Sequence, residues 1–407
     1  MKRPPTIVAA KTFPGIKQLP VIRELPDPFL LPDGKRVETK QQWKRQRMAL
    51  LKSVLHYQYG PLPPVPGYVI ADASRSRYIK SINATENRLL LRMGPDLSVT
   101  AQLILTIPQG NDPFPVIIRG DLCWGRVARG ISAMVVKRGY ILADFNRADI
   151  AEDGAKQDGI YLDYPDYDGG RIAAWAWGFH RVVDYLHTLD VVDNKHIAAT
   201  GHSRGGKAAL LAGAIDERIA LTAPNNSGCG GAGCYRLQGP KSEDIAAITR
   251  EFPYWFHARF KAFVGNIDRL PFDQHTVKAL VAPRSLLCTE ALGDLRANPK
   301  GTQQSHAAAR EVFRFLGAAD RIGIRFRAGG HEHNAEDWAT LLDFADWQFF
   351  GKNMFDQAAF ADARPGYSWR APARRSRSDN PMVVVSAKLD SRAPPQSGKS
   401  ALISQAP

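Results

Sequence analysis

Residues 196–214 read HIAATGHSRGGKAALLAGA, an apolar strand that enters an apolar helix through a turn of one serine and three glycines. The neighbouring sequence repeats this strand-then-helix order. GYILADFN is a short apolar strand, GGRIAAWAWGFHRVVDYLHTL a helix, RIALTAP, RSLLCTEA and IGIRFRAG further strands, and EDWATLLDFADWQFF a closing helix. Ahead of them YVIAD, NRLLLRMG, VTAQLILTIP and PVIIRG follow one another between Pro, Gly, Asn and Asp, which reads as hairpins. The expected class is α/β: a three-layer αβα sandwich around a mostly parallel central sheet with an antiparallel N-terminal part.

At 407 residues and 44% hydrophobic content, the chain can bury one large core. Residues 1–60, rich in proline and base, are expected to form an arm with one helix that starts after Thr39 and stops before Gly60 and Pro61. Residues 61–363 would form the main domain. From 364 to 407, Pro, Ser, Arg and Ala dominate around one brief VVV run, too little apolar surface to offset the entropy of ordering, so a disordered basic tail is expected. That tail carries part of the formal charge of +14, and the folded part shows no basic stripe with interleaved aromatics, so nucleic acid is not an expected partner.

No apolar run approaches the roughly 20 residues that span a bilayer. The N-terminus, MKRPPTIVAAKTFPG, is interrupted by Lys11 and Pro14, short of the about 7–15 apolar residues of a signal peptide. Cys123, Cys229, Cys234 and Cys288 lack paired metal spacing, so neither metal nor cofactor is expected, although Cys229 and Cys234 are close enough for a small loop disulfide. A monomer is expected.

Gly201, His202, Ser203, Arg204 and Gly205 meet the G-x-S-x-G spacing, and strand before with helix after gives it meaning: the serine stands on a strained turn with its hydroxyl beside a helix N-terminus. A serine hydroxyl needs a base, and the chain order of such sites places acid and then histidine downstream. Among ten histidines, His331 follows the last strand and precedes the final helix; it is preferred to His333 because Gly329 and Gly330 suit a tight turn, and His275 lies too early. Asp294, out on the loop after RSLLCTEA, is the preferred acid, with Glu290 at the strand end as the alternative. These residues predict a serine carboxylic-ester hydrolase.

The motifs GHSRGGKAAL, RIALTAPNNSGCGGAGCYR, FPYWF, LPFDQH with LVAPRSLL, and GGHEHNAEDW resemble the glucuronoyl esterases of carbohydrate esterase family 15, chiefly the bacterial members, over residues 150–350. The resemblance implies an α/β-hydrolase fold and cleavage of glucuronate esters that link glucuronoxylan to lignin alcohols. It implies that Arg204 supports the oxyanion and that Lys207 and Glu243 bind the sugar; Arg296 is a further candidate for substrate binding, and Trp255 is expected to pack beneath the site. It also implies a secreted or periplasmic enzyme. Three departures stand out. Fungal members carry their acid where this chain has Asn225 and Asn226, which leaves Asp294; the tryptophan lining the bacterial sugar pocket is replaced by Arg296; and His202 stands where fungal members have a disulfide-bonded cysteine. Alternatives are an acetylxylan esterase or other carbohydrate deacetylase, and a non-catalytic carbohydrate-binding homologue.

Overall fold

Alternate residues of the central strands point to two different cores, the period of two that a sheet covered on both faces requires. Ile118 and Ala199 face one core while their neighbours Ile117 and Ala198 face the other. The computed structural model describes residues 13–110, 113–352, 367–372 and 385–386. Among these, ten strands form one sheet: β1 (Ile70–Ile79), β2 (Ala84–Met93), β3 (Val99–Pro108), β4 (Phe114–Arg119), β5 (Ile141–Phe145), β6 (Val192–His202), β7 (Leu221–Asn225), β8 (Ser285–Ala291), β9 (Ile322–Arg327) and β10 (Val385–Ser386). Their order is β1-β2-β3-β5-β4-β6-β7-β8-β9-β10. The pairs from β1 to β5 through β3 are antiparallel and all the others parallel. The α/β-hydrolase arrangement expected from the sequence is the one observed.

The helices are α1 (Lys40–Val54), α2 (Arg129–Lys137), the single turns α3 (Arg147–Ile150) and α4 (Ile160–Asp163), α5 (Arg171–Leu186), α6 (Arg204–Ile215), α7 (Ile245–Glu251), α8 (Gln274–Ala279), α9 (Pro299–Leu316) and α10 (Ala335–Phe350). The larger core holds Trp175, Trp177, Leu210 and Val312 from α5, α6 and α9; the smaller holds Val135 of α2 with Trp338 and Leu341 of α10. Helix α1 starts where expected, because the Thr39 hydroxyl accepts from the Gln42 N–H at 3.1 Å while the Gln42 side chain accepts from the Thr39 N–H at 2.9 Å. It packs Trp43, Leu51 and Val54 inward, so the arm shares the main core.

Part of the segment read as a disordered tail packs on the domain. Tyr367 and Trp369 are buried; the Trp369 indole N–H donates to the Leu25 carbonyl at 2.9 Å and the Tyr367 hydroxyl to the Ala307 carbonyl at 3.2 Å. Two large rings bury enough surface to hold a short strap, which average composition hides. Val385 and Ser386 pair in parallel with β9. The rest of 364–407, and residues 1–12 with the signal-peptide expectation, lie outside the described residues. Among the described residues no helix is long and apolar enough to cross a membrane.

Candidate active site

Ser203 joins β6 to α6 at φ 54° and ψ −120°, a conformation that costs a non-glycine residue about 1–3 kcal/mol unless its surroundings enforce it. They do. A Cβ on Gly205 would lie 1.9 Å from Asp121 Oδ1, and one on Gly201 would lie 2.4 Å from the Gly205 carbonyl oxygen. The Ser203 N–H donates to the Asn225 carbonyl at 2.9 Å, and the His202 N–H donates to Asp121 Oδ2 at 2.8 Å. The hydroxyl therefore stands at the start of α6, where first-turn N–H groups have no intrahelical partner and favour negative charge.

His331 follows β9 across Gly329 and Gly330, and its Nδ1 lies 2.5 Å from Asp294 Oδ2. Asp294 is buried and pinned, since its Oδ1 accepts from the Ala297 N–H at 3.3 Å, whereas the His331 side chain is 47% exposed. Ser203, Asp294 and His331 line one cavity of about 460 Å3, within the range of small-molecule sites. His333 instead stacks on Trp338 at 4.9 Å, and burial pushes its pKa well below the usual imidazole value. His275 is buried in the core, bonded to the Pro26 carbonyl at 2.8 Å.

Glu290 does not join this group. Its carboxyl is fully buried, and burial raises its pKa to about 8 although Lys278 and a hydrogen bond from Thr302 pull the other way. At neutral pH it is protonated, so it cannot stabilise an imidazolium. Below about pH 4.5 folded and unfolded chains both hold this proton; between about 4.5 and 8 only the folded chain does, so this group's stabilisation is lost as pH rises through that window. Glu290→Gln is expected to remove the loss, raising stability by about 1–3 kcal/mol at pH 8 and far less at pH 5. Urea unfolding at both pH values checks it; equal effects at the two would contradict a protonated Glu290.

Arg204 and Lys207, on the first two turns of α6, line the same cavity. Asp153 holds the arginine: its Oδ2 accepts from Arg204 Nη1 at 2.5 Å and its Oδ1 from the Trp255 indole N–H at 2.8 Å. The guanidinium lies 4.7 Å from the Trp255 ring centroid, and its buried Nε has no hydrogen-bond partner among the described residues. Lys207 is buried and donates one hydrogen bond, to the Ser227 carbonyl at 2.7 Å; burial lowers its pKa, with Glu243 opposing. Trp255, expected to pack beneath the site, lines the cavity itself.

Arg296 lies at the mouth, 57% exposed, and is paired with two carboxylates: Glu243 at 2.7 Å and Glu251 in a closer contact. Glu243 is thus brought to the cavity wall, just ahead of α7, with Arg296 fixing its carboxylate. Cys229 and Cys234 are both free thiols, so the small loop disulfide does not form.

Sequence reasoning missed Asp121 and Asp153, which position the turn and Arg204. Asp121 directly follows the PVIIRG strand, and the C-terminal ends of parallel strands are where such sites gather, so a signal existed. Asp153 had none. His202, in place of a cysteine, packs its ring 4.4 Å from that of His331. The Asn225 Nδ2 donates to Thr289 Oγ1 at 2.9 Å, which turns its Oδ1 to His202 Nδ1 at 2.6 Å and places the imidazole proton on Nδ1. Burial lowers the His202 pKa to about 4, so this ring is neutral.

Residues 94–317 match the family model described as "Glucuronyl esterase, fungi". The 4-O-methyl-glucuronoyl methylesterase of Podospora anserina is 33% identical over 77% of this chain, which spans 64% of that protein's length. The 4-O-methyl-glucuronoyl methylesterase 1 of Phanerochaete chrysosporium is 34% identical, with 87% of this chain and 73% of the relative covered. A carbohydrate esterase family 15 glucuronoyl esterase from Caldicellulosiruptor kristjansonii superposes with a TM-score of 0.74 at 31% identity, covering 88% of this chain and 99% of that one. With the family model spanning more than half of it and the fold shared, the chain belongs to the glucuronoyl esterase family, carbohydrate esterase family 15.

Proposed function

We propose that the protein hydrolyses esters of 4-O-methylglucuronate on xylan-type carbohydrates, including those made with lignin alcohols, through an acyl-enzyme on Ser203. The observation that carries this reading is the Asp294–His331 pair sharing one cavity with Ser203, Arg204 and Lys207. Ser203 Oγ attacks the ester carbonyl and gives its proton to His331 Nε2, while Asp294 holds Nδ1–H and stabilises the imidazolium. The oxyanion is met by N–H groups at the start of α6 and by the Arg204 guanidinium, which lines the cavity beside Ser203. The alcohol leaves with the proton from His331. Water, activated by the same imidazole, then attacks the acyl carbon and releases the uronate. Lys207, with two N–H donors beyond its bond to Ser227, and Glu243 bind the sugar hydroxyls, and Arg296 keeps Glu243 in place.

The relatives' activity supports the substrate class, and the cavity's paired cations and carboxylates suit a uronate better than a plain acyl chain. The test is a panel of methyl glucuronate, benzyl glucuronate and acetylated xylan, with the free acid measured. Uronate release from both glucuronate esters is expected. Acetate release alone would make the protein a carbohydrate deacetylase, and no turnover on any of them would leave a binding protein.

A further inference from the structure

We infer that Asn226 is a positioning residue that locks the Asp294 loop to the His331 loop; this rests on the reading of Ser203, His331 and Asp294 as the reacting group. Asn226 is buried and its backbone sits at φ 41°, in the left-handed region that asparagine tolerates better than most residues. Its Oδ1 accepts from the Ala291 N–H at 2.7 Å and its Nδ2 donates to the Glu332 carbonyl at 2.9 Å. Its own N–H donates to the Thr289 carbonyl at 2.9 Å.

Those partners flank the acid and the base. Ala291 ends β8, and its carbonyl accepts the Asp294 N–H at 3.1 Å, closing the turn that presents the carboxylate. Glu332 is the next residue after His331. Its carbonyl is also held at 2.6 Å by Arg327, a residue of β9 that is fixed in turn by Asp337 at 2.9 Å. Arg327 anchors the histidine loop to its own strand, whereas the Asn226 side chain ties that loop to the end of β8, three residues before Asp294. The requirement is narrow: one donor, one acceptor and a left-handed backbone. Aspartate lacks the donor, and glycine keeps the backbone but lacks both bonds.

Asn226→Gly therefore removes this side-chain tie without straining the chain, and leaves the backbone bond from the Gly293 N–H to the Gly329 carbonyl at 2.9 Å between the same loops. It is expected to lower kcat on benzyl glucuronate by about 10- to 100-fold, the scale of a small misplacement of catalytic groups, with KM changed less than about threefold. The downfield proton resonance of His331 Nδ1–H, assigned by its loss in His331→Ala, is expected to shift or broaden. A kcat within twofold of the parent with that resonance unmoved would overturn the inference, as would a loss carried entirely by KM. If Asn226→Gly does not fold, Asn226→Asp, which keeps the acceptor, takes its place: the same fall in kcat supports the tie and an unchanged kcat overturns it. Ser203→Ala separates the two levels: if it stays active the underlying reading fails, and if it is inactive while Asn226→Gly is fully active only this inference fails.

Discussion

Ser203→Ala is expected to lower kcat for methyl or benzyl glucuronate by about 10^4- to 10^6-fold while KM stays within a few-fold, as steady-state kinetics would show. The loss is large because the hydroxyl forms the covalent bond of the acyl-enzyme, so without it no acylation takes place by this route. Activity need not vanish, since first-turn N–H groups and Arg204 can still stabilise an oxyanion formed by water. Alanine also occupies the φ 54° turn at a cost similar to serine's, and the closure around Gly201 and Gly205 is unchanged, so the variant should fold. A variant retaining a tenth or more of parental kcat would mean that another group is the nucleophile.

Asp294→Asn is expected to lower kcat by about 10^3- to 10^4-fold, with Glu290→Gln within about threefold of the parent. The asymmetry follows from burial and partners. Asp294 touches the imidazole at 2.5 Å, and asparagine there forfeits the charge that stabilises the imidazolium and, with its amide turned, presents an N–H to Nδ1. Glu290 is enclosed, protonated and not among the residues that line the cavity with His331, so its neutral isostere changes little in turnover. Kinetics of both variants on one substrate decide it: equal losses, or the larger loss at Glu290, would reverse the assignment of the acid.

Much of this was legible because strand and helix periods differ and because the serine turn carries its own context. HIAATGHSRGG reads as strand, turn and helix from local residues alone, and the order of Ser203, Asp294 and His331 along the chain follows from the strands that present them. What stayed hidden depends on contacts between distant residues. That Arg296 pairs with Glu243 and Glu251 requires knowing that both ends of α7 face one loop. Tyr367 and Trp369 lie in a stretch whose average composition says disorder, yet each ring finds a prepared hollow beside α9 or the arm. Asn226 reads as the absence of an acid, and only the positions of Ala291 and Glu332 give its amide something to hold.

The most direct test of the account is labelling with a fluorophosphonate, a reagent that bonds covalently to an activated serine, followed by peptide mass spectrometry and residual turnover of benzyl glucuronate. The predicted result is a single adduct on Ser203, slowed by added glucuronate, with activity falling in proportion to the labelled fraction. Full labelling of Ser203 with turnover intact, or loss of activity with the adduct on a different serine, would contradict it.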